Sequence, residues 1–488
     1  MQDNVKFHCK PKYNLLSEIQ IKQIHLASLE ILANIGVQVS HEEGLKLLER
    51  NGCTVEDNNL VRIPNWLVEE CLKSVPSEIS MYNRFGQKVM KLGGYTFYFG
   101  LGTDLIRTID LETDKLRLSV LRDVKNAAKV SDYCQEVDFI ASFALPSDVP
   151  TNLMYINCVK AMIENSVKPI FFTAAGKEDL EYIIKMAEIV AGGESELKSK
   201  PFLIHYSEPT APRSHSYGAV SKLFLCAEKG IPICYTPADL LGGTSPVTLA
   251  GGIVQANAEA LSGIVLHQLI NRGAPIISGF AVVPLDMRSA VITYGSPEEH
   301  LTNSACADIF HYYNIPMWST VGSDSHCLDQ QAAMEHAFGI LLAAMDGSNL
   351  IHDIGYLGQG LVGSPVSIVM CNEIISYVKR FIQGFDIGKN FMAIDVIRDV
   401  SPRGDYLSHI HTLDNFRKEL WRPKFINRDA PETWTTKGSK SYGERIKEHT
   451  FKILETHKVA PLDQEIQHKL DEILMEAERH LKNINFRA

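Results

Sequence analysis

From about residue 95 onward, short runs of consecutive apolar residues alternate with longer stretches whose apolar positions recur every three to four residues. The first pattern predicts strands buried on both faces; the second predicts amphipathic helices. The runs are YTFYFG (95–100), DFIASF (138–143), PIFFTA (169–174), FLIHYS (202–207), ICYTP (233–237), PIISGF (275–280), PMWSTV (316–321) and NLIHDI (349–354). Between them, Ser119 is expected to start one helix, Gly192-Gly193 to stop another, and Pro297 with Glu298 and Glu299 to open a third. Eight strand–helix units in series predict an α/β chain folded as a (β/α)8 TIM barrel, with a doubly wound sheet as the alternative.

Before residue 95 the apolar spacing reads as helical: Ile21, Ile24, Leu29, Leu32 and Ile35 recur as on one helix face. Ser40 with Glu43 has the form of a capping box, Asn51-Gly52 of a helix end, and Pro64 of a helix start. DLIRTIDLETDKLRLSV, after the first run, alternates about Glu112-Thr113-Asp114 as a hairpin does. The expected organisation is an N-terminal helical region (1–94), a barrel (95–385) and a helical to irregular C-terminal extension (386–488).

Composition narrows the function. With 45% hydrophobic and 22% charged residues the chain is an ordinary globular one, and its net charge of −10 with no basic stripe disfavours nucleic acid and anionic membranes. MQDNVKFHCKPKYN has no apolar h-region, and no uncharged apolar run reaches membrane length, so a cytoplasmic protein is expected. The ten cysteines form no CxxC pair and read as reduced core thiols.

In a barrel the chemistry sits at the C-terminal ends of the strands. Those ends supply Tyr98, Phe99, Phe143, Tyr206, Glu208, Tyr235, Asp239, Phe280, Asp324, His326, His352, Asp353 and Tyr356. Aromatics dominate and cations are few. Such a lining suits a quaternary ammonium ion, which cannot accept or donate a hydrogen bond but is attracted to ring faces. An aromatic at a strand end is more often plain core, so the set carries the signal and no single member does. No Asp or His pairing has the spacing of a metal site, and no intrinsic metal is expected. The glycine-rich ADLLGGTSPVTLAGG, with Pro246 opening a helix, fits either an anion site or a tight loop.

Three long segments resemble the trimethylamine methyltransferase family in its non-pyrrolysine branch. They are EILANIGVQVSHEEGLKLLERNGCTVEDNNLVRIPNWLVEECLKSVP, LLGGTSPVTLAGGIVQANAEALSGIVLHQLINRGAPIISG and SDSHCLDQQAAMEHAFGILLAAMDGSNLIHDIGYL; YLSHIHTLDNFRKELWRPKF in the tail also fits. The resemblance implies a (β/α)8 barrel that passes a methyl group to Co(I) of a separate corrinoid protein docked at the C-terminal face of the strands. Pyrrolysine members carry that residue near the end of strand seven, where the resemblance places His326. Its replacement by a standard residue implies a betaine-type quaternary amine as substrate. Glu208 and His326 are then the expected catalytic pair. Tyr98, Phe99, Phe143, Tyr206, Phe280, Asp324, His352 and Tyr356 are the expected substrate contacts, and a homo-oligomer is expected. Two other readings compete: a lyase or hydrolase using Glu208 and His326 as acid and base, which needs no partner, and a betaine-binding protein without chemistry.

Overall fold

The computed structural model describes residues 8–482, 484 and 486. It is a mixed α/β structure, and each of the expected runs contributes a strand or a strand bridge. Tyr98–Phe99 pairs in parallel with Leu350–His352, and that strand with Trp318–Thr320. In the other direction Gly100 bridges to Phe139 and Ile140 to Ile170. Ile170–Phe172, Leu203–Ser207, Ile233–Tyr235 and Ile276–Ile277 then lie side by side, all parallel. Ser278 bridges to Met317, next to Trp318–Thr320, so the order of neighbours returns to its starting strand.

Each strand is apolar on both faces because both are covered. Phe171, Ile204, Cys234, Ile277 and Trp318 turn to one side, into a cluster with Phe99 and Leu350. Phe172, Tyr235, Ile276 and Met317 turn to the other, against the helices. The hairpin Arg107–Ile109/Leu116–Leu118 forms as its alternation predicts.

The region before residue 95 is not wholly helical. Helices Glu18–Glu30, Glu42–Arg50 and Asn65–Ser74 form, but Val37–Val39, Thr54–Val55 and Leu60–Arg62 make a small sheet between them. Ile79–Tyr82 and Lys88–Leu92 form a hairpin that puts Met81, Met90 and Leu92 into the inner cluster, while Lys91 N donates to Tyr98 Oη at 3.0 Å. It lies against the N-terminal ends of the strands. Ile79, Met81, Met90 and Leu92 are a period-two signal that a helical reading passes over.

Three helix starts differ from expectation. His41, not Ser40, caps its helix, its Nδ1 accepting from Gly44 N at 3.1 Å. Ser119 bonds instead to Thr108 and Leu105, and the helix begins at Leu121 with Asp123 accepting from Val120 N. The helix expected at Pro246 begins at Leu249 and runs to Ile270. It is long and apolar enough to cross a membrane, yet most of it is buried in the fold. It lies beneath the N-terminal helices, and Asn257 Nδ2 donates to Ser28 Oγ at 3.0 Å. A helix covered all round needs no polar face.

Candidate active site

The parallel register sets which side chains meet inside the ring. Tyr206, at the end of Leu203–Ser207, stacks on Trp318 with ring centroids 6.2 Å apart and planes 17° off parallel. His352 closes the group, 4.8 Å from Trp318, 5.2 Å from Phe171 and 5.5 Å from Tyr206 by centroid. The Tyr206 hydroxyl donates to Glu208 Oε1, two residues further along the same strand end. Glu208 lies deep in the fold and keeps an open surface, so its carboxyl faces an internal space. Burial pushes its pKa up, against the Tyr206 hydrogen bond and the nearby His352, while Asp353 adds to the rise. Burial and the Glu208 carboxyl together push the Tyr206 phenol well above its ordinary range.

The loop after Leu350–His352 supplies a second wall. Asp353, in the left-handed conformation at φ 66°, stands against His352 Nδ1 and accepts from Thr320 Oγ1 at 2.7 Å. Tyr356 donates its hydroxyl to Thr103 O, and its ring meets Phe143 and Tyr294 at 6.0 and 6.3 Å. This approach requires Gly102: a Cβ there would strike Asp353 Oδ1 and the Tyr356 ring. Asp324 acts from behind, accepting from Tyr294 N at 2.7 Å and Gly295 N at 3.3 Å, and so fixes the Tyr294 loop.

Several polar atoms here have no internal partner: Trp318 Nε1, His352 Nε2 and both Glu299 oxygens. Buried polar atoms ordinarily find one, so such a group marks a place for a bound molecule. Asp104 faces Glu208 from the loop after the first strand; burial pushes it up to about 6, and Thr173 Oγ1 donates to it at 3.2 Å. Lys222, its own pKa lowered by burial, gives its Nζ to Ala174 O at 2.9 Å and adds positive charge near Asp104 and Glu208.

The structure therefore brings together Tyr206, Glu208, His352 and Tyr356, with Phe143 and Asp324 behind them. Three expected substrate contacts stand elsewhere. Tyr98 turns to the opposite end of the strands, towards Lys91. Phe99 is fully buried with its ring edge-on to Phe97 at 5.8 Å. Phe280 packs outward on Phe310 of the helix Pro297–Tyr313, at 6.3 Å. His326 is exposed and lines an outer hollow of about 360 Å³ with the 107–118 hairpin and Lys447. The imidazole facing Glu208 is that of His352.

Sequence reading missed Phe171, Trp318, Tyr294, Asp104 and Lys222. Phe171 and Trp318 lie inside their runs, paired with Ile204 and Leu350, two residues before Tyr206 and His352, and that register is not visible in the sequence. Tyr294 stands just before a Ser-Pro helix start, far from the end of any of the eight expected runs. Among the described residues, no three His, Cys, Asp or Glu side chains gather where they could share a metal ion.

The family model described as trimethylamine methyltransferase (MTTB) matches residues 2–481. The chain belongs to the trimethylamine methyltransferase family. It is 30% identical over 464 residues to a trimethylamine methyltransferase of Desulfitobacterium hafniense, covering 95% of this chain and 93% of that one. It is 32% identical over 465 residues to a glycine betaine methyltransferase from another strain of that species, covering 94% and 96%. In fold it resembles the crystal structure of the Methanosarcina barkeri monomethylamine methyltransferase, with TM-score 0.54 at 10% identity over 92% of this chain and 89% of that one. As a member of this family the chain is a methyltransferase.

Proposed function

We propose that this methyltransferase demethylates a betaine-type quaternary amine, passing the methyl group to the cobalt of a corrinoid carried by a partner protein. The circuit of parallel pairings is read as a (β/α)8 barrel spanning 95–385, flanked by the 1–94 region and the 386–488 extension. The observation that carries the reading is the Tyr206–Trp318–His352 aromatic group with the Glu208 carboxyl at its open edge. Ring faces suit a cation that has no N–H to donate, and an ionised carboxyl adds a general attraction for positive charge. The family membership favours methyl transfer over the lyase and hydrolase readings.

A quaternary nitrogen loses its positive charge as the methyl departs. A bare carboxylate against it would stabilise the substrate more than the transition state. Tyr206 offsets this by donating to Glu208 and drawing off part of its charge. The rings then hold the ammonium group without a strong ion pair, and the barrel orients one methyl towards the mouth.

The thiols near Glu208 and Asp104 are poor methyl acceptors. Burial pushes both Cys234 and Cys158 well above the ordinary thiol range, so neither thiolate forms readily. An external acceptor fits, and the Co(I) corrinoid supplies the nucleophile. His326, Asp110 and Lys447 border the C-terminal rim of the strands, where the partner would dock. A cytoplasmic location follows from the same reading, since a reduced corrinoid needs a reducing compartment.

The test incubates the protein with glycine betaine, a longer betaine or trimethylamine and a reduced corrinoid, following loss of Co(I) absorbance and release of the demethylated amine. Turnover of a betaine and not of trimethylamine supports the reading. Turnover of trimethylamine alone, or a betaine converted without any corrinoid, overturns it.

A further inference from the structure

We propose that residues 385–420 form an arm that docks on a second copy of this chain. Twelve exposed large apolar side chains fall within these residues, among them Leu407 at 88% exposed. The segment forms three helices, Lys389–Met392, Ile394–Asp399 and Ile410–Glu419, and none of them buries a residue. Ile410, Leu413, Phe416 and Leu420 recur along one face of the last helix and its C-terminal cap, and all four stay exposed.

The arm is anchored only at its root. Arg380 donates to Gly384 O at 2.9 Å and to Glu419 O at 2.7 Å, so one side chain ties the departure to the return. Trp421 Nε1 then bonds Ser376 Oγ at 3.0 Å, and the chain is back on the helix Pro365–Gln383.

Area argues for a large partner. The chain exposes 22996 Å² at 54.5 kDa. A compact monomer of that mass exposes roughly 18,000 Å². The excess is several thousand Å², the size of an obligate homodimer interface.

Position and charge argue that the partner is a second copy. Helix Pro365–Gln383 runs away from the strand ends that carry Glu208, so the arm leaves at the opposite end. Residues 10–14 and Ile382 beside its root line a hollow with Tyr95, Phe97 and Gly347, all just before the first and last strands. A corrinoid protein has to reach the other end. Beside the arm's return, eight Lys and Arg side chains against one Asp line a groove of about 1090 Å³. A groove so basic, on a chain of net charge −10, is complementary to the acidic body of its own copy.

Sedimentation velocity on the full chain at micromolar concentration tests this. The wild type should sediment as a dimer or higher multiple. Leu407→Glu/Ile410→Glu/Leu413→Glu should sediment as a monomer with an unchanged circular dichroism spectrum, since these side chains are mostly exposed in their own chain. Ile19→Glu/Leu26→Glu, also exposed, should leave the assembly intact. Should the triple variant aggregate, replacing 388–418 by a short Gly/Ser linker serves instead, because Arg380 already holds Gly384 and Glu419 together. A monomeric wild type, or arm variants that keep the wild-type mass, would overturn the proposal. So would a wild type that is monomeric alone and binds a corrinoid protein through these residues.

Discussion

At the proposed barrel mouth, polar atoms lie buried without partners: Trp318 Nε1 and His352 Nε2. On the arm, Leu407, Ile410 and Leu413 lie in water without partners. The two regions break the burial rule in opposite directions, and each break costs free energy in the isolated chain. In the proposed reaction the mouth is completed by a small cation and then by a docked protein. The arm is completed by area. A polar defect inside points to a ligand, and an apolar defect outside points to a protein surface.

The comparison is sharpest if each kind of substitution disturbs only its own function. Glu208→Gln should have the largest effect, lowering kcat/KM for the betaine about 10²–10³-fold, as loss of a preorganised polar group does. Sedimentation of that variant should be unchanged. Activity within a few-fold of wild type would mean that the reacting centre lies away from Tyr206 and Glu208.

The next effect separates ring faces that meet the ligand from those that only pack. Tyr294→Leu should weaken binding of a quaternary ammonium ligand by about 1 kcal/mol, read by calorimetry. Phe280→Leu, on the outer face of its strand, should lower Tm and leave affinity alone. The reverse result would move the ligand out of the ring.

A pH titration should give a smaller, graded effect. Burial holds Asp104 up at about 6, above its ordinary carboxyl value. The folded state thus binds its proton more tightly than the unfolded state. The associated stability is fully present below about pH 4 and is lost as pH rises through about 6. Ionised Asp104 attracts a cation, so ligand affinity should rise over the same interval. In Asp104→Asn both slopes should flatten. A wild-type affinity that does not change between about pH 5 and 7 would separate Asp104 from the site.

The smallest effect is expected at the rim. His326→Ala should raise KM for the corrinoid protein a few-fold and leave betaine affinity unchanged. Loss of betaine affinity would return His326 to the substrate pocket.

The strands were legible because each is a short apolar run between turn signals, and a covered strand leaves that trace whatever surrounds it. The N-terminal sheet was not, since Val37–Val39 and Thr54–Val55 are too short to show a period. Tyr206, Glu208, His352 and Tyr356 were legible as strand-end residues. Tyr98, Phe99 and Phe280 satisfied the same rule and point elsewhere. The run containing Tyr98 carries it towards the Lys91 hairpin before Gly100 reaches the mouth end. Which end of a run faces the ligand depends on where pairing stops, and pairing involves residues far away in the chain. The arm reads in the sequence as part of a helical to irregular extension, because an apolar stripe does not say whether its partner is in the same molecule.

The hairpin of Met81 and Met90 has a kinetic meaning. In the proposed barrel it covers the end remote from Glu208 and leaves the mouth as the shared doorway for the proposed amine, acceptor protein and demethylated product. Traffic through one doorway is sequential. The amine must enter before the partner seats, and the product must wait until the partner departs. Initial-rate measurements should therefore give a compulsory-order pattern, with excess unmethylated corrinoid protein inhibiting by sealing an empty pocket.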